Sequence, residues 1–232
     1  MARRPYASLI GSLMYAQVCT RPDIAQAIGV LSRYQSNPGF THWMATKRVT
    51  RYLKRTKTYK LCYRRTTNLE LIGYSDLDFV GCADSLKSTS SYVFMLTGGA
   101  VSWKSAKQGE VAMFTMQAEY VACYEATSQV VWLKNFISSI NVVKSIARPI
   151  QLWCDNKAAV FHARNNKRSN GTRHLDLKYK MIRKEVMKQQ VKIDYIDTKS
   201  MLADPLNKAL PNASFHVHVK NMGLVFDFDA LN

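Results

Sequence analysis

Acidic residues are scarce in this chain: 16 Asp and Glu stand against 33 Lys and Arg, a net charge of +17 over 232 residues. The deficit favours a phosphate-rich partner, because a basic surface attracts polyanions and releases their counterions. The plain alternative is a soluble basic protein. Cysteines are few and odd in number: Cys19, Cys62, Cys82, Cys123 and Cys154, with no C-x-x-C pair. That fits a reduced, intracellular protein, cytoplasmic or nuclear. No apolar run approaches the roughly 20 residues that span a bilayer, so no membrane partner is expected. Met1-Ala2-Arg3-Arg4 and the apolar stretch from Ala7 to Val18 faintly suggest a signal peptide. Ser8, Gly11, Ser12, Tyr15 and Gln17 dilute that core, and secretion is not expected. Internal repeats and low-complexity segments are absent too. With 47% hydrophobic and 21% charged residues, the composition is that of a globular chain long enough for one or two domains.

Residues 6 to 65 read as helical. Ile24, Ala27, Ile28, Leu31 and Tyr34 recur at helical spacing behind Pro22, until Asn37-Pro38-Gly39 stops them. Trp43, Ala45, Val49, Tyr52 and Leu53 form a second stripe, interleaved with Lys47, Arg48, Arg51, Lys54 and Arg55. Asp23 is the single acid of this region. An unbalanced basic face of this density suits a nucleic-acid backbone, although a solvated helix face would read the same way. Strand texture follows at Leu61 to Tyr63 and Leu69 to Ser75, and Tyr92 to Leu96 and Ala100 to Trp103 flank the turn signal Thr97-Gly98-Gly99. A long amphipathic helix is predicted over Met116 to Ile140, with Tyr120, Cys123, Val130, Leu133, Phe136 and Ile137 inward. Ile150 to Cys154 reads as a buried strand, and Asn156 to Ala163 as a short helix. Further predictions are a polar basic loop over 164 to 174, a helix over Leu175 to Gln190, a strand over Val191 to Ile196 and a short helix over Ala203 to Leu210. The tail from Pro211 gives weak signals. Hairpin, helix, strand and helix in that order imply a mixed α/β sheet covered by helices.

Carboxylates recur at suggestive places in this order. Asp76 follows the strand from Leu71 to Tyr74, Glu119 lies early on the long helix, Asp155 follows the buried strand, and Asp204 opens the last predicted helix. Each alone suits a cap or a turn. Together they can converge on a two-metal phosphodiester site, because a divalent ion is the partner best able to hold several buried carboxylates. Asp78 and Asp84 lie near enough to be extra ligands but are read as turn residues. Trp103, Trp132 and Trp153 are expected in the core, while Trp43 and Tyr52 are more open to a nucleic-acid role.

The chain resembles the C-terminal part of the Pol polyprotein of copia-type LTR retrotransposons. The matching stretches are Tyr-Ala-Ser-Leu-Ile-Gly-Ser-Leu-Met-Tyr-Ala (6 to 16), Thr-Arg-Pro-Asp-Ile-Ala (20 to 25), Tyr-Ser-Asp-Leu-Asp-Phe-Val-Gly-Cys (74 to 82) and Lys-Ser-Thr-Ser (87 to 90). They continue with Ala-Val-Ser-Trp-Lys-Ser (100 to 105), Ala-Glu-Tyr (118 to 120), Cys-Asp-Asn-Lys-Ala-Ala (154 to 159), Arg-His-Leu-Asp-Leu-Lys-Tyr (173 to 179) and Leu-Ala-Asp-Pro-Leu (202 to 206). The resemblance implies a ribonuclease H-like five-stranded mixed sheet flanked by helices over residues 68–210. It would be preceded by the basic helical end of the reverse transcriptase connecting region (1–67) and followed by a tail (211–232). It also implies that Asp76, Glu119, Asp155 and Asp204 bind two magnesium ions, with manganese as a substitute, and cut the RNA strand of an RNA–DNA hybrid. His174 would assist proton transfer or product release. Lys47, Arg48, Arg51, Lys54, Arg55, Arg168 and Arg173 would contact nucleic acid, and a reverse transcriptase polymerase domain would be a partner.

Several positions depart from the family pattern. The family usually carries Glu where Gln117 stands, Gly at Ser91, Thr at Asn207, and His-Phe-Ile-Arg-Glu across Lys180 to Lys184. The four presumed ligands survive while their surroundings drift. No Tyr-x-Asp-Asp polymerase motif occurs, and by the resemblance the chain begins inside the connecting region. Two other readings therefore stand beside the nuclease: a catalytically degenerate nucleic-acid-binding remnant, and an interaction protein made from a transposon fragment, such as a secreted effector. Arg51-Tyr52-Leu53-Lys54 falls one residue short of the Arg-x-Leu-Arg host-targeting pattern, and the helix itself accounts for that run.

Overall fold

A computed structural model describes residues 4–66, 69–82, 85–140, 144–164 and 173–226. Its centre is a five-stranded mixed sheet of β2 (Leu71–Cys82), β3 (Lys87–Leu96), β4 (Gly99–Lys107), β5 (Ile150–Cys154) and β6 (Val191–Tyr195), in the order β4-β3-β2-β5-β6. β2, β3 and β4 are antiparallel neighbours, and β5 and β6 add in parallel on the other side of β2. This is the ribonuclease H-like arrangement that the resemblance implies.

Period-two alternation explains why both faces of the sheet are covered. On β3, Tyr92 and Phe94 enter the core beneath α4 (Thr115–Ile140), while Val93 and Met95 enter a second core on the opposite face. The first core gathers Tyr120, Cys123, Val130 and Leu133 of α4 with residues of α5 (Lys157–Arg164) and α6 (Arg173–Met187). The second takes in Met201, Leu202, Ala203 and Leu206, together with Ala25 and Met222. Gly73 on β2 makes the close approach possible: a Cβ there would lie 2.5 Å from Phe94 and 2.9 Å from Leu152.

The basic region forms α1 (Tyr6–Cys19), α2 (Ala25–Leu31) and α3 (Phe40–Arg55), with 3-10 turns over Pro22–Ile24 and Ser32–Tyr34. Tyr6, Ile10 and Leu31 pack against Trp43, and Leu13, Ile24 and Ile28 against Val49, Tyr52 and Leu53. Trp103 Nε1 on β4 donates to the carbonyl of Gln17, 3.0 Å away, tying these helices to the sheet. Asp23 is spent inside this layer. Its carboxylate is 2.6 Å from Arg21 Nη2 and accepts from the Tyr52 hydroxyl at 2.7 Å, while Arg21 also donates to Thr56 Oγ1 at 2.7 Å. The region's one acid thus leaves the outward cations uncompensated.

Four details differ from the sequence expectation. The strand expected at Leu61 to Tyr63 is a short β1 (Lys60–Leu61), and it pairs with β7 (Leu224–Val225) rather than joining the main sheet. In the tail, the described residues up to 226 form α7 (Asn212–Asn221) and β7 of this ribbon. In place of a helix over 203 to 210 there is a 3-10 turn, Asp204–Leu206. Met201, Leu202, Ala203 and Leu206 are all buried, too dense an apolar set for one helical stripe, and the segment lies flat against the sheet instead. Trp132 and Phe136 are 56% and 50% exposed rather than core. The buried stripe of α4 runs through Val130, Leu133 and Ile137, and this pair, four residues apart, stacks off that stripe with ring centroids 5.2 Å apart.

Candidate metal centre

Parallel pairing brings two of the carboxylates together. β5 runs beside β2 only as far as the Ser75–Cys154 pair, so Asp76 and Asp155, the next residue on each chain, emerge at the same place. Asp76 therefore sits inside a twelve-residue strand rather than at its carboxyl end, because the longer partner β3 keeps β2 extended after β5 stops. Glu119 comes from the first turns of α4. Asp204 comes from the 3-10 turn, and Ser91 fixes that turn: its hydroxyl donates to the carbonyl of Ala203 at 3.1 Å, across from Asp76 in the β2–β3 register.

Two halves make up the resulting cluster. In one, Lys208 Nζ lies 2.8 and 3.1 Å from the two oxygens of Asp76 and 3.0 Å from Asp204 Oδ1. In the other, ligand atoms of Glu119, Cys154 and Asp155 all lie within 4.8 Å of one another. Asp155 Oδ2 accepts from Thr198 Oγ1 at 3.2 Å, but Asp155 Oδ1 and Glu119 Oε2 are buried with no hydrogen-bond partner. Burial pushes the Glu119 carboxyl up to about 8, helped by the charges of Asp155 and Asp76. Burial likewise lifts Asp76 to about 6 against the pull of Lys208, and raises Asp155, with Asp76 adding to the shift. Burial alone would lower Lys208, but Asp76 and Asp204 outweigh it and hold the ammonium charged. Oxygen atoms buried without partners in a surplus of negative charge fit a hard divalent cation, which takes carboxylate oxygens; the buried Cys154 thiol beside them is too soft a donor for such an ion.

All four sequence-predicted carboxylates are thus drawn into one neighbourhood. Asp78 is half-buried beside it, and Asp84 lies outside the described residues. Arg168 also lies outside them, and Arg173 and His174 stand at the start of α6. Gln117 turns away from the cluster: its side-chain oxygen accepts from the Met113 amide at 3.2 Å and ties down the chain entering α4. Sequence reasoning missed Lys208 and Cys154. The four-residue spacing from Asp204 to Lys208 was the available signal, since it brings opposite charges together on one turn.

Lys47, Arg48, Arg51, Lys54 and Arg55 are all exposed on α3, and among the described residues none pairs with a carboxylate. Arg48 and Lys208 share a cavity of about 320 Å³ lined also by Tyr52, Pro205 and Phe215, so the basic helix and the carboxylate cluster border one groove. No helix among the described residues is long and apolar enough to cross a membrane.

No protein-family model matches the chain. It is 39% identical over 224 residues to the Retrovirus-related Pol polyprotein from transposon TNT 1-94 of Nicotiana tabacum, covering 97% of this chain and 17% of that protein. It is 51% identical over 133 residues to Secreted RxLR effector protein 161 of Plasmopara viticola, covering 57% of this chain and 94% of that one. Among solved structures, LC11-RNase H1 in complex with RNA/DNA hybrid is similar at 19% identity and a TM-score of 0.43, over 59% of this chain and 93% of that one. The chain therefore spans only a small part of the tobacco polyprotein. With near-complete coverage at this identity, the chain belongs to the copia-type LTR retrotransposon Pol polyproteins, as their C-terminal ribonuclease H region with the end of the reverse transcriptase connecting region.

Proposed function

We propose that the chain is a ribonuclease that cleaves the RNA strand of RNA–DNA hybrids, with Asp76, Glu119, Asp155 and Asp204 holding two magnesium ions, or manganese in their place. The observation that carries this reading is the meeting of four carboxylates from four separate segments, with Glu119 Oε2 and Asp155 Oδ1 buried and unpartnered. Metal bound there would supply an activated water and steady the leaving oxygen. The chain's own residues do the rest. Ser91 and Thr198 orient Asp204 and Asp155. Lys47, Arg48, Arg51, Lys54 and Arg55 receive the phosphate backbone, with Arg168 and Arg173 as further contacts, and His174 at the start of α6 aids proton transfer or product release. The unit is read as a connecting segment over 1–67, the nuclease over 68–210 and a tail, working inside the cell beside a polymerase domain.

Cleavage of an RNA–DNA hybrid in magnesium tests this. Asp155→Asn is expected to lose about 100-fold or more of the wild-type rate. Equal rates in the two proteins would remove the reading.

The similarity to a secreted effector favours a second reading, an exported interaction protein. Against it, Arg51-Tyr52-Leu53-Lys54 lies within α3, with Tyr52 bound to Asp23 and Leu53 packed in the helical core. Recovery of the chain outside the producing cell, with no hybrid cleavage, would establish this second reading over the first.

A further inference from the structure

Lys208 stands where the carboxylate cluster calls for a cation. Its ammonium touches both oxygens of Asp76 and one of Asp204. The Asp76 side chain is almost wholly buried, whereas that of Lys208 is 29% exposed and reaches in from the rim on a flexible four-carbon stem. Half of the cluster is neutralised in this way, while Glu119 Oε2 and Asp155 Oδ1 keep no partner. A lysine and a divalent ion contending for the same Asp76 oxygens repel one another at short range in a poorly screened site. We propose that Lys208 is an internal counter-ion that leaves Asp76 and Asp204 when a divalent cation binds, so that the chain carries its own competitor for the metal. The inference rests on the cluster being a metal site.

Room for the displaced side chain lies alongside, in the cavity of about 320 Å³ that Lys208 lines with Tyr52, Pro205 and Phe215. Asp23 borders that cavity but is already bound by Arg21 and Tyr52, so it does not recapture the ammonium. The released lysine instead joins Arg48 as a second cation on the groove.

The test is calorimetric titration of the full chain with magnesium and with manganese chloride, comparing wild type, Lys208→Met and Asp155→Asn. Lys208→Met is expected to bind metal about ten-fold more tightly than wild type, and to melt at a lower temperature before metal is added. Binding equal to or weaker than wild type overturns the counter-ion role and leaves the functional reading intact. Asp155→Asn binding as tightly as wild type overturns both. In the unsubstituted protein, mass spectrometry of lysine acetylation gives a second readout that does not depend on a variant folding. Magnesium is expected to raise labelling of Lys208 relative to the exposed Lys104, and unchanged or reduced labelling overturns the proposal.

Discussion

Asn207 is buried, and neither end of its side-chain amide has a hydrogen-bond partner. It sits between Leu206, which belongs to the sheet's second core, and Lys208, and it occupies a position where the family pattern has Thr. A threonine would bury fewer polar atoms, and its hydroxyl can bond back to the preceding turn. Asn207→Thr should therefore raise the free energy of unfolding by about 1 kcal/mol, read by urea denaturation. Glu119 supplies a second residue-scale expectation. Its folded-state value near 8 exceeds the 4.5 of an ordinary glutamate. The folded protein thus holds this proton more tightly than the unfolded chain, which gives stability that is complete below 4.5 and lost as pH rises through about 8. Bound metal replaces that proton. The rise in melting temperature on adding magnesium should accordingly be larger at pH 8 than at pH 6, and an equal rise at both would count against Glu119 as a ligand. The carboxylates themselves were legible in the sequence because each follows a recognisable element. Lys208 was legible only in its spacing from Asp204, because its bond to Asp76 spans 132 residues and leaves no local pattern.

At the scale of elements, the buried knot around Asp23 fixes how α3 meets the turn at Pro22. Asp23→Ala would leave the Arg21 guanidinium buried beside Tyr52 and Thr56 with its charge uncompensated. A loss of about 3–5 kcal/mol is expected by thermal or chemical denaturation. A loss below about 1 kcal/mol would show that Arg21 finds water instead. Elements with strong periodicity were readable without the structure: α4 within one residue at its start, β5 outright, β6 within one residue, and the hairpin at Thr97-Gly98-Gly99. Two-residue strands carry no periodicity at all, so β7 went unread, and β1, expected at Leu61 to Tyr63, could not be assigned to its partner without the pairing. Trp132 and Phe136 misled for a related reason. In a 26-residue helix, the apolar positions exceed what a single stripe can bury, and the surplus pair covers itself by stacking.

For the molecule as a whole, the question is how far the sheet depends on what flanks it. Ala25 and Met222 close the second core, Ala100 donates its amide to the carbonyl of Met222 at 2.9 Å, and Trp103 is bound to Gln17. A fragment limited to residues 68–210 lacks all three partners. It is expected to melt at a clearly lower temperature than the full chain. Matching melts would mean that the flanking helices ride on a self-sufficient sheet. The small β1–β7 ribbon bears on the same dependence from another direction. Cys62 donates its amide to the Gly223 carbonyl at 2.9 Å, and Gly223 adopts φ +88° so close to Gly99 that a side chain would collide with it. A seam made of so few bonds breathes far more readily than five interlocked strands. The connection between the basic helices and the sheet can thus part from the segment after α7 and rejoin it there while the carboxylate end of the sheet stays shut.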